Sequence, residues 1–462
     1  MGGYEMRFTI LHTNDVHSRF ENFARISTKI KKMRDGNTLV LDAGDFHDFM
    51  DLMLQGTDGQ AGAKLLKEAG YDALAIGNNE MFEGVDTMHS MTSSTDLPFL
   101  SCNLVKKDGS YLKYVKRSVI LEKSGARFLV IGASPDFKEF LDLMDMGTLP
   151  YKKAIQKEID DNKGKYDVCI LLSHLGLRED EELLEVVKGI DIVIDGHSHV
   201  LMDKPHVVKD IKLHMSGCYG EYLGVVSFEY DGQVHDVTAE NIKVKDEEMD
   251  ENILEIISTN KKKAIETLST PLYSIDRDLY HDVVEENPMT NFLADALRNL
   301  LKTDLGIINS GVLNGGIRKG EVSMKKLIEI CPSPLNPTYM EVQGKDIKEA
   351  LNMSLDHDLC YKDGRGAGFR GKYLGRLHVS GAVIEHDGKS VKRVLINGKE
   401  IEDEKYYTIA TSDYLERGTG YTPLGENRNV RYDIDFLRIT LKKYLCRKEF
   451  VDNAFIDRWI IS

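Results

Sequence analysis

The first half of the chain repeats one pattern, in which a short apolar run ends in polar residues. The runs are RFTILHTND, NTLVLDAGD, DALAIGNNE, RFLVIGASPD, YDVCILLSHLG and IDIVIDGHSH. Amphipathic segments such as ENFARISTKIKKMRDG separate them, and this one predicts a helix closed by Gly36. Strands that alternate with helices indicate an α/β layered core, and nearly continuous Val, Ile and Leu content indicates strands buried on both faces. Because α/β sheets carry their sites at strand carboxyl ends, the polar run ends are the candidate site.

A change in composition near residue 246 indicates a second domain. Residues 246–268, DEEMDENILEIISTNKKKAIETL, are highly charged, place Ile and Leu at helical spacing, and are followed by Pro271. This pattern predicts a connecting helix over 246–268 between a first domain at 1–245 and a second at 269–462. The second part combines a helical segment, MTNFLADALRNLL, with glycine-rich loops and strand-like runs. The predicted class is therefore α/β in two domains.

Composition and charge argue against several classes of protein. The 462 residues carry a net charge of −15, which argues against a general binder of nucleic-acid polymers. Six cysteines without a C-x-x-C pair favour a reducing compartment over a disulfide scaffold. The amino terminus lacks a basic segment followed by a long apolar stretch, and no window approaches the roughly 18 apolar residues of a membrane span. We expect a cytoplasmic protein that does not bind membranes; the sequence leaves its oligomeric state undetermined.

The polar residues at the run ends form a set of candidate metal ligands. Each one alone has an ordinary explanation, since a lone histidine is commonly a surface residue and paired asparagines favour a turn. Together they supply imidazole, carboxylate and amide donors, which suit Mn²⁺, Zn²⁺ or Fe and contain too much nitrogen for Ca²⁺. Seven ligands exceed one tetrahedral site and match two ions that share a carboxylate. The set is Asp15, His17, Asp45, Asn78, His174, His197 and His199.

The motifs ILHTNDVHSRFE, LDAGD, IGNNE, LLSHLG and IDGHSHV resemble those of calcineurin-like metallophosphoesterases. The opening and the two-domain length resemble the 5′-nucleotidase and UDP-sugar hydrolase branch, particularly its short cytosolic bacterial members. The resemblance implies an amino-terminal β-sandwich flanked by helices and a carboxy-terminal α/β substrate domain. It also implies that Asp15, His17, Asp45 and His199 hold one ion. Asp45 would bridge to a second ion completed by Asn78, His174 and His197.

The chain departs from this family beside Asn78. The family usually has G-N-H-E-F-D, in which the histidine faces the substrate phosphate; this chain has GNNEMF, with Asn79 and Phe82 in place of the His and the Asp. An asparagine can donate a hydrogen bond to phosphate but cannot transfer a proton. His47, in GDFHD, either replaces the missing imidazole or is a partly exposed loop histidine. The predicted catalytic residues are Asp45, Asn79 and His47.

The second half resembles the carboxy-terminal domain of the same branch, with changes at the expected phosphate and base contacts. Glu285, directly before ENPMTNFLADALR, and Asn314, in INSGVLNGGIRKGEVS, occupy the places of two phosphate-binding arginines. Ser333 and Thr419 replace a stacking aromatic and a ribose-binding Asp. Arginines elsewhere either rebuild an anion site or lie on surface loops. The candidate substrate contacts are Asn309, Asn314, Arg318, Arg365, Arg370, Arg376 and Tyr414.

Two functions remain open at this point. The first is a two-metal hydrolase of a small, nucleotide-like phosphoester that is not a typical nucleoside 5′-monophosphate. The second is a module of the same fold that binds metal and a ligand or protein partner without turnover. The changes at Asn79, Phe82, Glu285 and Asn314 favour the second, whereas the seven filled ligand positions favour the hydrolase.

Overall fold

A computed structural model describes residues 6–366 and 368–462, except for the side chain of Glu139. The first five residues of the predicted amino-terminal domain lie outside the described residues. Two compact units are present, one reaching Ile265 and the other Glu266–Ser462. The division falls inside a helix, Glu251–Leu268, in the segment predicted to be a connecting helix. The predicted domain limits themselves stay predictions.

The first unit consists of layered strands and helices. Its strands are β1 (Met6–Thr13), β2 (Thr38–Asp42), β3 (Ala73–Ala75), β4 (Phe99–Leu100), β5 (Leu104–Lys106), β6 (Val115–Lys116), β7 (Ser118–Lys123), β8 (Ala126–Ala133), β9 (Met146–Thr148), β10 (Val168–Ser173), β11 (Ile192–Asp195), β12 (His206–Val208), β13 (Ile211–His214), β14 (Tyr222–Tyr230) and β15 (Val234–Lys243). Its helices are α1 (Phe20–Met33), α2 (Leu52–Gly56), α3 (Gln60–Ala69), α4 (Asn78–Met81), α5 (Gly84–Ser93), α6 (Lys138–Leu141), α7 (Tyr151–Asp161), α8 (Leu177–Leu184) and α9 (Glu251–Leu268), with a 3₁₀ turn at Asp142–Met144.

Two sheets pack face to face in this unit. One has the strand order β15-β14-β1-β2-β3-β4-β6 and the other β12-β13-β11-β10-β8-β7. Fully buried side chains from both sheets form the layer between them, and the Phe8 and Phe128 rings meet edge to face at 5.0 Å. Helices α1, α3 and α5 cover the first sheet, and α7 and α8 cover the second. The predicted α/β class and the helix-flanked β-sandwich are confirmed.

The apolar runs become strands for the reason that the sequence indicates. β2 and β10 are buried along their whole length, because each lies inside a sheet that is covered on both faces. β1, β2 and β3 pair in parallel, as do β8, β10 and β11. Their carboxyl ends therefore lie at one edge of each sheet. Helix α1 buries Phe23, Ile26 and Ile30 on one face, as its amphipathic pattern predicts.

The second unit has its own sheets and core. Its strands are β16 (Pro271–Ile275), β17 (Leu305–Asn309), β18 (Gly320–Ser323), β19 (Pro337–Gln343), β20 (Leu377–Ser380), β21 (Ala382–His386), β22 (Val391–Ile396), β23 (Lys399–Glu400), β24 (Tyr406–Ser412), β25 (Asn427–Tyr432) and β26 (Trp459–Ile461). Its helices are α10 (Pro288–Leu301), α11 (Met324–Ile330), α12 (Gly344–Met353), α13 (His357–Cys360), α14 (Asp413–Glu416), α15 (Leu437–Tyr444) and α16 (Lys448–Asn453), with 3₁₀ turns at Ser310–Val312 and Thr422–Gly425.

Helix α10 is the central helix of this unit. It begins with Asn287 as N-cap, whose side-chain oxygen accepts from the Thr290 backbone N–H at 3.0 Å, and with Pro288 in the first turn. It packs against β17, β20 and β24 of the sheet ordered β20-β17-β24-β19-β25. A second sheet has the order β23-β22-β21-β26. No helix among the described residues is both long and apolar enough to cross a bilayer.

Candidate metal centre and substrate domain

The carboxyl ends of strands from both sheets of the first unit meet at one place. Asp15, Asp45 and Asn78 follow β1, β2 and β3 of the first sheet, whereas His174 and His197 follow β10 and β11 of the second. The Asp45 Oδ1 and His174 Nε2 atoms, from different sheets, lie 3.3 Å apart. The sandwich therefore brings residues distant in sequence into one cluster.

Asp15 is at the middle of the cluster. Its Oδ1 atom lies 3.2 Å from Nε2 of His199, 3.7 Å from Nε2 of His17 and 3.8 Å from Nε2 of His174. Its Oδ2 atom accepts from the side-chain amide of Asn14 at 2.8 Å and from the His197 backbone N–H at 2.9 Å. One carboxylate oxygen is thus held by the protein, while the other faces three imidazoles.

Asp45 presents its two oxygens to different histidines. Oδ1 faces His174, and Oδ2 lies 4.0 Å from Nε2 of His17. In this cluster, candidate ligand atoms within 4.8 Å of one another form two groups, Asp15–His17–His199 and Asp15–Asp45–His174. The groups share Asp15, and Asp45 lies between His17 and His174. The cluster is therefore a candidate site for divalent metal.

The ligand-bearing loops have an unusual backbone. Asp15, His17, Asp45, His197 and His199 all have positive φ, between 47° and 68°. Such angles are uncommon for residues with a Cβ and cluster at functional sites. The turn before Asn78 also requires a glycine, because a Cβ on Gly77 would lie 2.2 Å from Asp45 Oδ1.

Unpartnered polar atoms show that the cluster suits metal ions. Asp15 Oδ1, Asn78 Oδ1 and His174 Nε2 are buried and lack a hydrogen-bond partner among the described residues. Buried polar atoms are normally satisfied, so these three atoms are available as metal ligands. The His174 ring is oriented by its Nδ1 atom, 2.7 Å from the Ala43 carbonyl oxygen, which leaves Nε2 free to bind metal. The His197 ring lies 5.2 Å from the His174 ring.

The charges in the cluster explain its pKa shifts. Burial disfavours a charged imidazole, but the carboxylates of Asp45 and Asp15 outweigh burial and raise the pKa of His174 to about 10. The Asp15 carboxylate, whose Oδ1 atom lies 3.2 Å from Nε2 of His199, raises the pKa of His199 to about 10. For Asp45, burial opposes ionisation, yet His174 and His17 hold its pKa well below the usual range. Because an imidazole binds metal only when neutral at the ligating nitrogen, cation binding must release protons.

Asn79 lies against the Asp45 carboxylate. Its side-chain amide donates to Asp45 Oδ2 at 2.6 Å and lies 3.3 Å from Nδ1 of His17, and its backbone N–H donates to Asp45 Oδ1 at 2.8 Å. Phe82, the last residue of the GNNEMF motif, packs instead against Phe137, with ring centroids 5.5 Å apart. The amide therefore fixes Asp45 and supplies no transferable proton.

His47 is fully buried, which contradicts its alternative interpretation as a partly exposed loop histidine. Its Nδ1 atom lies 3.1 Å from Glu80 Oε1, and its ring stacks on Phe49 with centroids 5.9 Å apart. Its Nε2 atom faces Gly62, where a Cβ would approach to 2.3 Å. A catalytic role for His47 stays a prediction, and these contacts favour a structural role.

The predicted substrate contacts of the second unit occupy different environments. Asn309 and Tyr414 are buried, and Asn309 donates to the Leu374 carbonyl at 2.6 Å. The Tyr414 ring stacks on Phe369 with centroids 4.5 Å apart. Asn314, Arg318, Arg365 and Arg370 are exposed, and the Arg370 backbone N–H donates to Ser333 Oγ at 2.9 Å. The structure thus places four of the predicted contacts on the surface.

Arg376 differs from the other arginines because it is buried, with 5% of its surface exposed. One terminal nitrogen donates to the Val284 carbonyl at 3.2 Å, and the guanidinium lies 4.2 Å from the Trp459 ring centre. Its Nε and other terminal nitrogen have no hydrogen-bond partner in the described part of the chain. Burial lowers its pKa, and the nearby Glu285 and Glu286 oppose that shift. Arg376 is therefore not a surface-loop arginine.

Comparison with known proteins decides the family. The calcineurin-like phosphoesterase model matches residues 8–201, and the 5′-nucleotidase carboxy-terminal domain model matches residues 264–426. The chain belongs to the 5′-nucleotidase family of metallophosphoesterases. It is 29% identical to the uncharacterized metallophosphoesterase YunD of Bacillus subtilis, over 94% of this chain and 97% of that protein. It is 26% identical to a 5′-nucleotidase of Diplobatis ommata, over 92% of this chain and 85% of that one.

The solved structure of the NAD nucleotidase NadN of Haemophilus influenzae has the same fold. It aligns over 99% of this chain and 100% of that one, with a TM-score of 0.69 and 16% identity. As a member of the 5′-nucleotidase family, the chain is a metal-dependent phosphoester hydrolase. This membership favours the hydrolase over the non-catalytic module.

Sequence reasoning missed two residues of this metallophosphoesterase site. Glu80 is fully buried and accepts backbone N–H groups from Asp45, Gly77 and His47 at 3.1, 2.9 and 3.0 Å. Its position in the GNNE motif was the sequence feature that could have indicated its role in the site. Tyr219 lies beside the histidines, with ring centroids 5.7 Å from His17 and 5.9 Å from His199, and nothing in its local sequence indicates this position.

Proposed function

We propose that this phosphoester hydrolase holds two divalent cations and cleaves phosphodiester or pyrophosphate bonds in small, nucleotide-like substrates. The two overlapping ligand groups support the two-metal part of the proposal, because they share Asp15 and place Asp45 between them. Mn²⁺, Zn²⁺ and Fe all suit the mixed nitrogen and oxygen donors.

The ligands divide between two positions. Asp15, His17, Asp45 and His199 would hold one cation, and Asn78, His174 and His197 would join Asp45 around the other. When bound, such a pair lowers the pKa of a coordinated water and neutralises charge on phosphoryl oxygens. The protein contributes fixed geometry, because Ala43 orients His174 and the Asn14 amide holds Asp15 Oδ2.

The 2.6 Å hydrogen bond from Asn79 to Asp45 is the observation that carries the choice of substrate. An amide holds the bridging carboxylate but gives no proton to a departing group. General-acid help typically accelerates a step by about 10²–10⁴-fold, and it matters most for basic leaving groups. Substrates whose leaving group is already stable as an anion lose least. Phosphodiesters, cyclic nucleotides and pyrophosphates therefore suit this centre better than alkyl monophosphates.

The second unit also supports a substrate other than a typical nucleoside 5′-monophosphate. Glu285 adds negative charge where the family places a phosphate-binding arginine, and Asn314 supplies an amide in place of a fixed charge. We propose that substrate contacts come from among Asn309, Arg376, Tyr414 and the exposed Asn314, Arg318, Arg365 and Arg370. The free thiols of Cys102, Cys169, Cys331 and Cys360 are buried and support a reducing, cytoplasmic environment.

A hydrolysis panel tests the proposal. Mn²⁺-loaded protein would be given an activated phosphodiester, a UDP-sugar, a cyclic nucleotide and AMP. Asp45→Asn should abolish turnover, while Asp236→Asn, an exposed exchange on a hairpin, should leave it unchanged. Diester or pyrophosphate cleavage well above AMP cleavage is expected. Preferred hydrolysis of AMP would refute the leaving-group argument, and activity that survives Asp45→Asn would refute the metal assignment.

A further inference from the structure

Residues 106–117 of the first unit form a basic stretch in an acidic chain. Within the sequence KKDGSYLKYVKR lie Lys106, Lys107, Lys113, Lys116 and Arg117, with one acidic residue, Asp108. Asp108 turns toward its own loop, where it accepts from the Ser110 N–H at 2.8 Å and hydroxyl at 2.6 Å. A chain of net charge −15 thus carries a local excess of positive charge.

This stretch is anchored so that its tyrosines point outward. Leu112 and Val115 are 3% and 8% exposed and belong to the core beneath the first sheet's helices. Tyr111 and Tyr114, each of which directly precedes one of those anchors, are each 41% exposed. Lys116, in the edge strand β6, pairs with Leu100 of β4. The aromatic rings are therefore presented on a fixed backbone.

A cleft of about 540 Å³ lies beside these residues, lined by Tyr111, Lys116, Arg117, Ser118, Glu158 and Asn162 among others. The Arg117 guanidinium lies 5.2 Å from the Tyr111 ring centre. Glu158, the acidic residue of the cleft, accepts from Arg117 at 3.1 Å and from the Ser118 hydroxyl at 2.8 Å. Its charge is therefore already compensated and does not repel an anion.

The other cations of the stretch are available to a ligand. Lys106, Lys113 and Lys116 form no ion pair with a carboxylate among the residues that the structure describes. Lys113 lies 4.8 Å from the Tyr114 ring centre, so a ring and a cation are side by side there as well. Alternating exposed aromatic rings and cations are the arrangement that binds single-stranded nucleic acid, through stacked bases and neutralised phosphates.

We propose that residues 111–117 and the adjoining cleft form an aromatic-basic groove that binds a short single-stranded oligonucleotide, with bases stacked on Tyr111 and Tyr114 and phosphates beside Lys113 and Lys116. The groove adjoins β6, which is separated from β2 by β3 and β4 in the sheet. At about 4.8 Å per strand, β6 is about 14 Å from β2. Binding at this groove does not depend on the chemistry proposed for the metal centre.

Fluorescence anisotropy with a labelled single-stranded hexathymidylate tests this inference. The full chain would be used in EDTA, so that the probe is not hydrolysed. Lys113→Gln/Lys116→Gln should weaken binding and reduce the slope of log affinity against log salt by about 1.4, because each phosphate contact contributes about 0.7. Tyr111→Ala/Tyr114→Ala should weaken binding by about 30-fold or more, because each of the two lost stacks is worth about fivefold or more.

The matched control is Lys204→Gln/Lys245→Gln, which removes the same charge from exposed positions elsewhere in the unit. It should bind the probe like the unchanged chain. Absence of binding by the unchanged chain, or equal losses in the control and in the groove lysine variant, would overturn the proposal. Thymidine monophosphate would be tested as a competitor of the labelled probe. If it competes as well as the unlabelled hexamer at equal nucleotide concentration, the two-base site is overturned. The lysine variants decide the question if the tyrosine variant fails to fold.

Discussion

Replacing Glu80 by glutamine tests the buried support of the metal centre. Glu80 Oε2 accepts from the backbone N–H groups of Asp45 and Gly77, and Oε1 accepts from that of His47. His47 Nδ1 adds a fourth contact to Oε1 at 3.1 Å. A carboxylate offers only acceptors, so it suits four surrounding donors. A glutamine places an NH₂ group against two of them, whichever way the amide is turned.

The structure sets the expected magnitude. Glu80 is 0% exposed, so water does not replace the lost acceptor. A buried donor without a partner costs about 1–3 kcal/mol, and two such donors cost about 2–6 kcal/mol. We expect Glu80→Gln to lower the free energy of unfolding of the first unit by at least about 2 kcal/mol. Metal affinity should fall too, because the backbones of Asp45 and of Gly77, the residue before Asn78, lose their common support.

Unfolding of the first unit can be followed through Cys169, a buried thiol in β10. Pulse alkylation across a urea gradient, with the Cys169 peptide quantified by mass spectrometry, reports this unit separately from the second. The control is Glu182→Gln, which breaks an exposed 3.5 Å ion pair with Lys152 and should cost less than about 0.5 kcal/mol. A Glu80→Gln chain as stable as this control would refute the reasoning.

Other predictions concern charge, packing and catalysis. Burial lowers the pKa of His378 to about 3. The protein should therefore lose stability as the pH falls from 6.5, the pKa in the unfolded chain, toward 3. Histidine-selective NMR should show a neutral His378 ring at pH 5, and a charged ring at that pH would contradict this. Gly62→Ala brings a Cβ within 2.3 Å of His47 Nε2 and should destabilise the chain by about 1–3 kcal/mol in urea unfolding experiments. The control Gly147→Ala places its Cβ in open space and should not destabilise the chain. Equal effects of the two substitutions would disprove the packing argument. Asn79→His should raise the rate of AMP hydrolysis relative to an activated diester, by at most about 10²–10⁴-fold, and a parallel change for both substrates would count against the missing-acid interpretation.

The general plan of the fold could be predicted from the sequence. Each apolar run in the first half became a strand, because its length and continuous burial left few alternatives. The predicted ligands gathered at strand ends because parallel strands place their carboxyl ends at one edge. The distances around Asp15 and Asp45 follow from that topology together with left-handed loop residues, which single-sequence patterns do not reveal.

Burial and long-range partners could not be predicted in the same way. His47 had the sequence context of a loop residue, yet the absence of a side chain at Gly62 in α3 makes room for its buried ring. Arg376 lies in a glycine-rich stretch that suggests a surface loop, but it is covered by Trp459 from the carboxyl end of the chain. Both outcomes depend on neighbours distant in sequence, so local composition carries no signal for them.

Electron paramagnetic resonance of Mn²⁺-loaded protein tests the central claim most directly. The account predicts two Mn²⁺ per chain with the exchange-coupled spectrum of a bridged pair, and loss of that spectrum in Asp45→Asn, because Asp45 faces histidines from both groups. A single uncoupled ion per chain, or a coupled pair that persists in Asp45→Asn, would contradict the two-metal centre described here.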